Sequence, residues 1–123
     1  MPVTTLPHDH GNSGRAEHLK EILDRTEKFS AAAETISLLA DTSRLRIFWL
    51  LCHCEECVVN ISALTGMSSP AVSHHLRILK EAGMLSSRRE GREVYYSAAD
   101  TASARQLHSA AERLLELEGC PIV

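Results

Sequence analysis

Three of the four cysteines crowd into one short run, Cys52-His53-Cys54-Glu55-Glu56-Cys57. Thiolates bind soft or borderline cations such as zinc, cadmium, lead and trivalent arsenic, and exposed thiols are also oxidised or persulfidated in redox sensors. Cys54 and Cys57 are three residues apart, so they share a face if the helix that carries them runs on, whereas Cys52 and Cys54 point about 160° apart on a helix. Cys52 also falls on an apolar edge with Phe48 and Trp49, where a buried structural thiol is the plainer role. Cys120, near the end of the last helix, either supplies a third thiolate from one or other subunit or has no ligand role. His8 and His10 flank Asp9 and offer one or two imidazoles once something orders their segment. The plain alternative is a solvated tail.

Chemistry of a different kind is concentrated in residues 69–96. On a 100° wheel Ser73, His74, Arg77 and Lys80 share the side of a helix opposite Val72, Leu76 and Leu79. Slim side chains at a helix start allow close approach to a major groove, and Arg binds guanine bidentately. Arg88, Arg89 and Arg92 follow on a hairpin, where guanidinium groups meet phosphates or a narrow minor groove. An ordinary surface helix and a solvated hairpin are the bland readings of these two pieces taken singly. His75 lies on the packed flank and reads as a structural histidine rather than a DNA contact.

The elements that must position these groups follow from the same sequence. Residues 60–83 read as helix, turn, helix: Thr65, Gly66, Met67 and Ser68 make the turn, Ser69 caps the second helix, Pro70 stands in its first turn, and Gly83 stops it. Residues 85–89 and 93–97 flank Glu90-Gly91-Arg92 and form a two-stranded hairpin. Upstream, residues 15–29 make an amphipathic helix and residues 31–40 a second, with Ala32, Ile36 and Leu39 at helical spacing. Asp41 caps a third that is apolar almost all round, the centre of the core. Asp100 caps a last helix to about residue 118, whose Leu107, Ala111, Leu114 and Leu117 suit a dimer seam. The fold class is therefore mainly α with a small β-hairpin, a winged helix-turn-helix, homodimeric through its terminal helices. The organisation is a flexible arm (1–14), a DNA-binding and dimerisation domain (15–118) and a short tail (119–123).

With 123 residues and a net charge of -3, the chain is one small domain, and no global basic charge announces a nucleic-acid binder. The charge is uneven, however. Residues 69–96 carry five Lys and Arg against three Glu, a surplus of two, which leaves the remainder at -5. A basic patch on an acidic body suits DNA, because the local field decides contact. No signal peptide and no membrane-spanning run are evident, so the expected location is the cytoplasm, where crowded thiols point to metal or redox chemistry rather than structural disulfides. A thiol enzyme such as an arsenate reductase is disfavoured, since no Gly-rich or Arg-containing anion loop follows any cysteine. Nothing points to an organic cofactor.

Three segments in order, Leu39-Ala40-Asp41-Thr42-Ser43-Arg44-Leu45-Arg46-Ile47, Ser69-Pro70-Ala71-Val72-Ser73-His74-His75-Leu76 and Arg89-Glu90-Gly91-Arg92-Glu93-Val94-Tyr95-Tyr96, resemble the ArsR/SmtB family of metal-sensing winged-helix repressors, in its CadC-like Cys-rich subgroup. The resemblance covers residues 31–111. It implies a homodimer on a pseudo-palindromic double-stranded operator, released when an inducer binds, with zinc and cadmium foremost. DNA contacts carry over to Ser68, Ser69, Ser73, His74 and Arg77. Metal held between the N-terminal arm and the Cys-rich motif carries over to Cys54 and Cys57 with His8 and His10, and behind them Cys52 and Cys120. The tighter Cys-Val-Cys form is absent, because in Cys57-Val58-Val59 valine stands where the second thiol would be. The family's second site, Asp-x-His and a later His-x-x-Glu on the last helix, is broken here by Ala102 and Arg113. A variant using Asp100, His108 and Glu112 is conceivable, an exposed i, i+4 pair being the more ordinary reading. The alternative function on the same fold is a thiol-based redox or persulfide-sensing repressor.

Overall fold

The computed structural model describes residues 6–116, which divide into two units between Glu34 and Thr35. In the first, the Asp9 carboxylate accepts the Gly11 N–H at 2.9 Å and the Ser13 hydroxyl at 3.2 Å, bonds that hold its carboxyl below the usual range. The chain then enters α1 (Ser13–Leu23) and, after a break at Asp24 and Arg25, α2 (Thr26–Ser37). The break comes earlier than the sequence suggested. Nothing at Ser30 ends a helix, whereas the Asp24 carboxylate takes the Lys20 ammonium at 2.9 Å and the Asp24 N–H closes the last turn onto Lys20. Leu19, Ile22, Leu23 and Phe29 are exposed.

The second unit is built around α3 (Thr42–His53), β1 (Glu56–Cys57), α4 (Val58–Thr65), α5 (Ser69–Glu81), β2 (Leu85–Glu90), β3 (Glu93–Ala98) and α6 (Ala102–Leu115). Asp41 caps α3 as expected, accepting the Arg44 N–H at 2.9 Å. Ile47, Phe48 and Leu51 of that helix are buried with Ile61 of α4 and Val72, Leu76 and Leu79 of α5, and Met84, Leu85 and Ala104 close the core. Full burial of each large side chain is worth about 1.5–3 kcal/mol, so this cluster holds α5 against α3 and α4.

Two caps fall one residue away from their expected positions. Ser68, not Ser69, accepts the Ala71 N–H at 3.3 Å, and Pro70 stands inside the first turn, where its missing N–H is not needed. At α6 the cap is Thr101, whose hydroxyl accepts from Ala104 at 3.2 Å, while Asp100 pairs with Arg105. The hairpin turns through Gly91 in the left-handed region, φ 61°, and pairs residue by residue from Leu85 with Ala98 to Glu90 with Glu93. A third strand joins it. β1 lies antiparallel to β3, with Glu56 opposite Tyr96 and Cys57 opposite Tyr95, so the sheet order is β1, β3, β2. No helix among the described residues is long and apolar enough to cross a membrane.

Candidate nucleic-acid interface and ligand sites

Gly66, at φ 74°, ends α4 in the left-handed conformation that only glycine adopts without strain, and its N–H returns to Ser62 at 2.9 Å. Arg46 of α3 donates to the Thr65 carbonyl at 2.9 Å and ties the turn to the core. Behind this turn α5 buries Val72, Leu76 and Leu79 and leaves Ser69, Ser73, His74, Arg77 and Lys80 exposed, with Ser68 at its cap. Exposed hydroxyl, imidazole and guanidinium groups therefore share one face. Arg77 and His74 meet at 3.3 Å, Nη2 to Nδ1, and Lys80 donates to Ser87 of β2 at 2.5 Å. His75 sits half-buried, and its Nδ1 is a buried polar atom with no hydrogen-bond partner. Burial lowers its pKa, against the attraction of Asp41.

On the wing, Arg89 and Arg92 are exposed. Arg88 is engaged within the fold. Its Nε and Nη2 donate to Glu55 at 2.6–2.9 Å, its Nη1 donates to Glu90 at 2.6 Å, and its guanidinium lies 4.8 Å from the Tyr95 ring centroid. Glu55 is held below its ordinary carboxyl pKa by Arg88, and the Arg88 pKa is raised in turn, first by Glu55.

The cysteine run does not continue the helix. α3 ends at His53, Cys54 is extended at φ -155° and ψ 162°, and Cys57 stands on β1 as it leads into α4. The shared helix face expected for Cys54 and Cys57 is thus replaced by a loop and a strand. Cys54 is exposed, Cys57 is buried and Cys52 half-buried against the core. The Cys54 thiol donates to the Leu50 carbonyl at 3.6 Å, and its pKa is raised, by burial first and then by Glu56. His8 and His10, in the first unit, stack with parallel rings 5.8 Å apart and are exposed. Cys120 lies outside the described residues.

A different set of ligand-type side chains converges, and sequence reasoning named only part of it. Trp49 and His53, one turn apart on α3, face His108 and Glu112, one turn apart on α6. One carboxylate oxygen, Glu112 Oε1, accepts the Trp49 indole N–H at 2.9 Å and lies 2.7 Å from His53 Nε2 and 3.0 Å from His108 Nε2. The two imidazole Nε2 atoms are 3.3 Å apart, with ring planes at 82°. His53 is deep, its side chain 6% exposed, while His108 at 31% lies at the mouth. Asp100, included in the conceivable variant on this helix, is turned to Arg105 instead. The i, i+4 spacing of His108 and Glu112 was visible in the sequence, whereas their contact with His53, 55 and 59 residues away, was not.

Residues 41–87 match the family described as bacterial regulatory protein, arsR family. The transcriptional repressor SmtB homolog of Synechocystis sp. is 44% identical over 117 residues, covering 94% of this chain and 86% of that protein. The cadmium resistance transcriptional regulatory protein CadC homolog of Staphylococcus aureus is 38% identical over 69 residues, 55% of this chain and 57% of that one. Among solved structures, reduced HlyU from Vibrio cholerae is similar at a TM-score of 0.64 and 30% identity, covering 73% of this chain and 95% of that chain. Winged-helix geometry and these relatives lead to one conclusion: the chain belongs to the arsR family of bacterial regulatory proteins, which are DNA-binding transcriptional regulators and not enzymes.

Proposed function

We propose that this chain is a homodimeric repressor that binds a pseudo-palindromic operator and lets go of it when a thiophilic metal, zinc, cadmium, lead or trivalent arsenic, binds the cysteine loop. The observation that carries the reading is the way this loop is built into the wing. Cys57 pairs with Tyr95 on β3, and Glu55 grips Arg88 on β2, so the cysteine loop is joined to the strands that lead to Arg89 and Arg92. A relative named for cadmium resistance supports the choice of signal.

In this reading Ser68, Ser69, Ser73, His74 and Arg77 meet base edges and backbone in the major groove, and Arg89 and Arg92 meet phosphates beside it. Arg88, with two carboxylate partners, holds the wing in place. Exposed Leu19, Ile22, Leu23 and Phe29 in the first unit, and separately Leu114 in the second, are apolar side chains that a second copy would cover, with two-fold symmetry setting the recognition helices about 34 Å apart. The protein works in the cytoplasm, with residues 1–14 as an arm ahead of the DNA-binding and dimerisation domain (15–118), α1 already beginning at Ser13, and residues 119–123 as a tail.

The residue types suit a thiophilic cation: the exposed Cys54 thiol, the Cys57 thiol, which is buried on β1, and the imidazoles of His8 and His10. Cys54 and Cys57 hold it, His8 and His10 of the arm complete the set, and Cys52 and Cys120 stand in reserve. A bound cation would supply a crosslink between the two sulfurs, releasing their protons as it binds. Glu55, between the two thiols, then pulls on Arg88 and re-aims the wing. A 100-fold loss of operator affinity needs only about 2.7 kcal/mol of such coupling.

Selection of bound duplexes from a random DNA pool, followed by fluorescence anisotropy with added zinc, cadmium and lead, tests the proposal. Two inverted half-sites about one helical turn apart, released by at least one of these ions, are the expected result. Binding without half-site symmetry, or binding indifferent to these three ions and to trivalent arsenic, would refute it.

A further inference from the structure

The cluster between α3 and α6 has a geometry that the proposed thiolate site does not use. We propose that His53, His108 and Glu112 form a second metal site on each subunit, made of nitrogen and oxygen donors and suited to a borderline divalent cation such as zinc. Their ligand atoms, Nε2, Nε2 and a carboxylate oxygen, all lie within 4.8 Å of one another, and this is the group of three such side chains found among the described residues.

The distances favour a tetrahedral ion. Metal–nitrogen bonds of 2.0–2.1 Å make the edge of a tetrahedron about 3.3 Å, and the two Nε2 atoms stand 3.3 Å apart. Glu112 Oε1, at 2.7 and 3.0 Å from them, needs to withdraw by about half an ångström to complete the face. Each ring would take the tautomer with hydrogen on Nδ1 and present its Nε2 lone pair. Trp49 already does what an outer-shell partner does, donating its indole N–H to the carboxylate that would ligate. The fourth position opens on the His108 side, the most exposed of the three.

Donor type separates this site from the cysteine loop. Two imidazoles and one carboxylate suit zinc, cobalt or nickel, whereas lead, cadmium and trivalent arsenic favour sulfur, and magnesium and calcium favour all-oxygen shells. An ion here would clamp the end of α3, one residue before Cys54, to the terminal helix. The site stands whether or not the thiols sense metal.

The test uses the full-length chain carrying Cys54→Ser and Cys57→Ser, titrated with cobalt(II) and then zinc(II). Tetrahedral cobalt should give visible d–d absorption without the near-ultraviolet charge-transfer bands of a thiolate, at one ion per subunit. Trp49, the only tryptophan, should change its emission in step. His108→Gln and Glu112→Gln, each added to that background and checked for native circular dichroism, should weaken cobalt and zinc binding at least tenfold, roughly the loss seen when a supporting group alone is removed. Absence of cobalt binding, sulfur charge-transfer bands, or unchanged affinity in both variants would overturn the proposal. Release from DNA is not read in this experiment, so its failure is separate from failure of the thiolate reading.

Discussion

Arg88 of the wing holds Glu55 of the cysteine loop through both Nε and Nη2, at 2.6–2.9 Å. The two residues are 33 positions apart, and their contact joins the loop between Cys54 and Cys57 to the strand that leads to Arg89 and Arg92. Glu55→Gln keeps the shape and removes the charge. Metal affinity, measured by competition with a chelator, should stay within about threefold, while the metal-driven loss of operator affinity shrinks several-fold. Equal metal responses in the two proteins would show that the signal does not pass through this pair.

The exposed arginines should separate by role. Arg77→Ala removes a candidate base contact and should cost about 1–3 kcal/mol of operator binding while relaxing preference at one position of each half-site. Arg92→Ala removes a candidate phosphate contact and should weaken all duplexes alike, lowering the slope of log affinity against log salt by about one per subunit. Anisotropy titrations over a salt series on cognate and substituted duplexes measure both.

Two caps give a control for stability. Ser68→Ala and Thr101→Ala each remove a side-chain acceptor from a helix start and should each cost about 1 kcal/mol in urea unfolding. Thr101→Ala should leave operator affinity unchanged, while Ser68→Ala, at the recognition helix, should lower it as well.

His75 should make stability fall with acid. Its imidazole is lowered below 6.5, first by burial and further by Arg44 and His74, with Asp41 pulling the other way. Below pH 6.5 the unfolded chain therefore takes up a proton that the folded chain still refuses, so stability drops as the pH falls and levels off once the folded imidazole is also protonated. Thermal unfolding from pH 7.5 to 5.5 should show this fall, and His75→Leu should flatten it.

Much of the architecture was legible because strong local signals agreed with the tertiary result. Val72, Leu76 and Leu79 sit at helical spacing and are buried, Asp41 caps α3, and Gly91 turns the hairpin. β1 was not legible. Two residues, Glu56 and Cys57, are too few to show alternation, and their strand exists because Tyr95 and Tyr96 pair with them. The same pairing explains why Cys54 and Cys57 do not share a helix: Glu55 and Glu56 are good helix formers, and the sheet overrides them. The histidine cluster depends on two helices meeting, and nothing local to His53 says that α6 will cover it.

The most direct measurement of the central claim is operator anisotropy with Cys54→Ser and Cys57→Ser combined, titrated with zinc, cadmium and lead beside the unaltered chain. The account predicts operator affinity within about threefold of the unaltered protein and a loss of metal-driven release of about 100-fold, the full response. A doubly substituted protein still released from its operator by the same ions would contradict it.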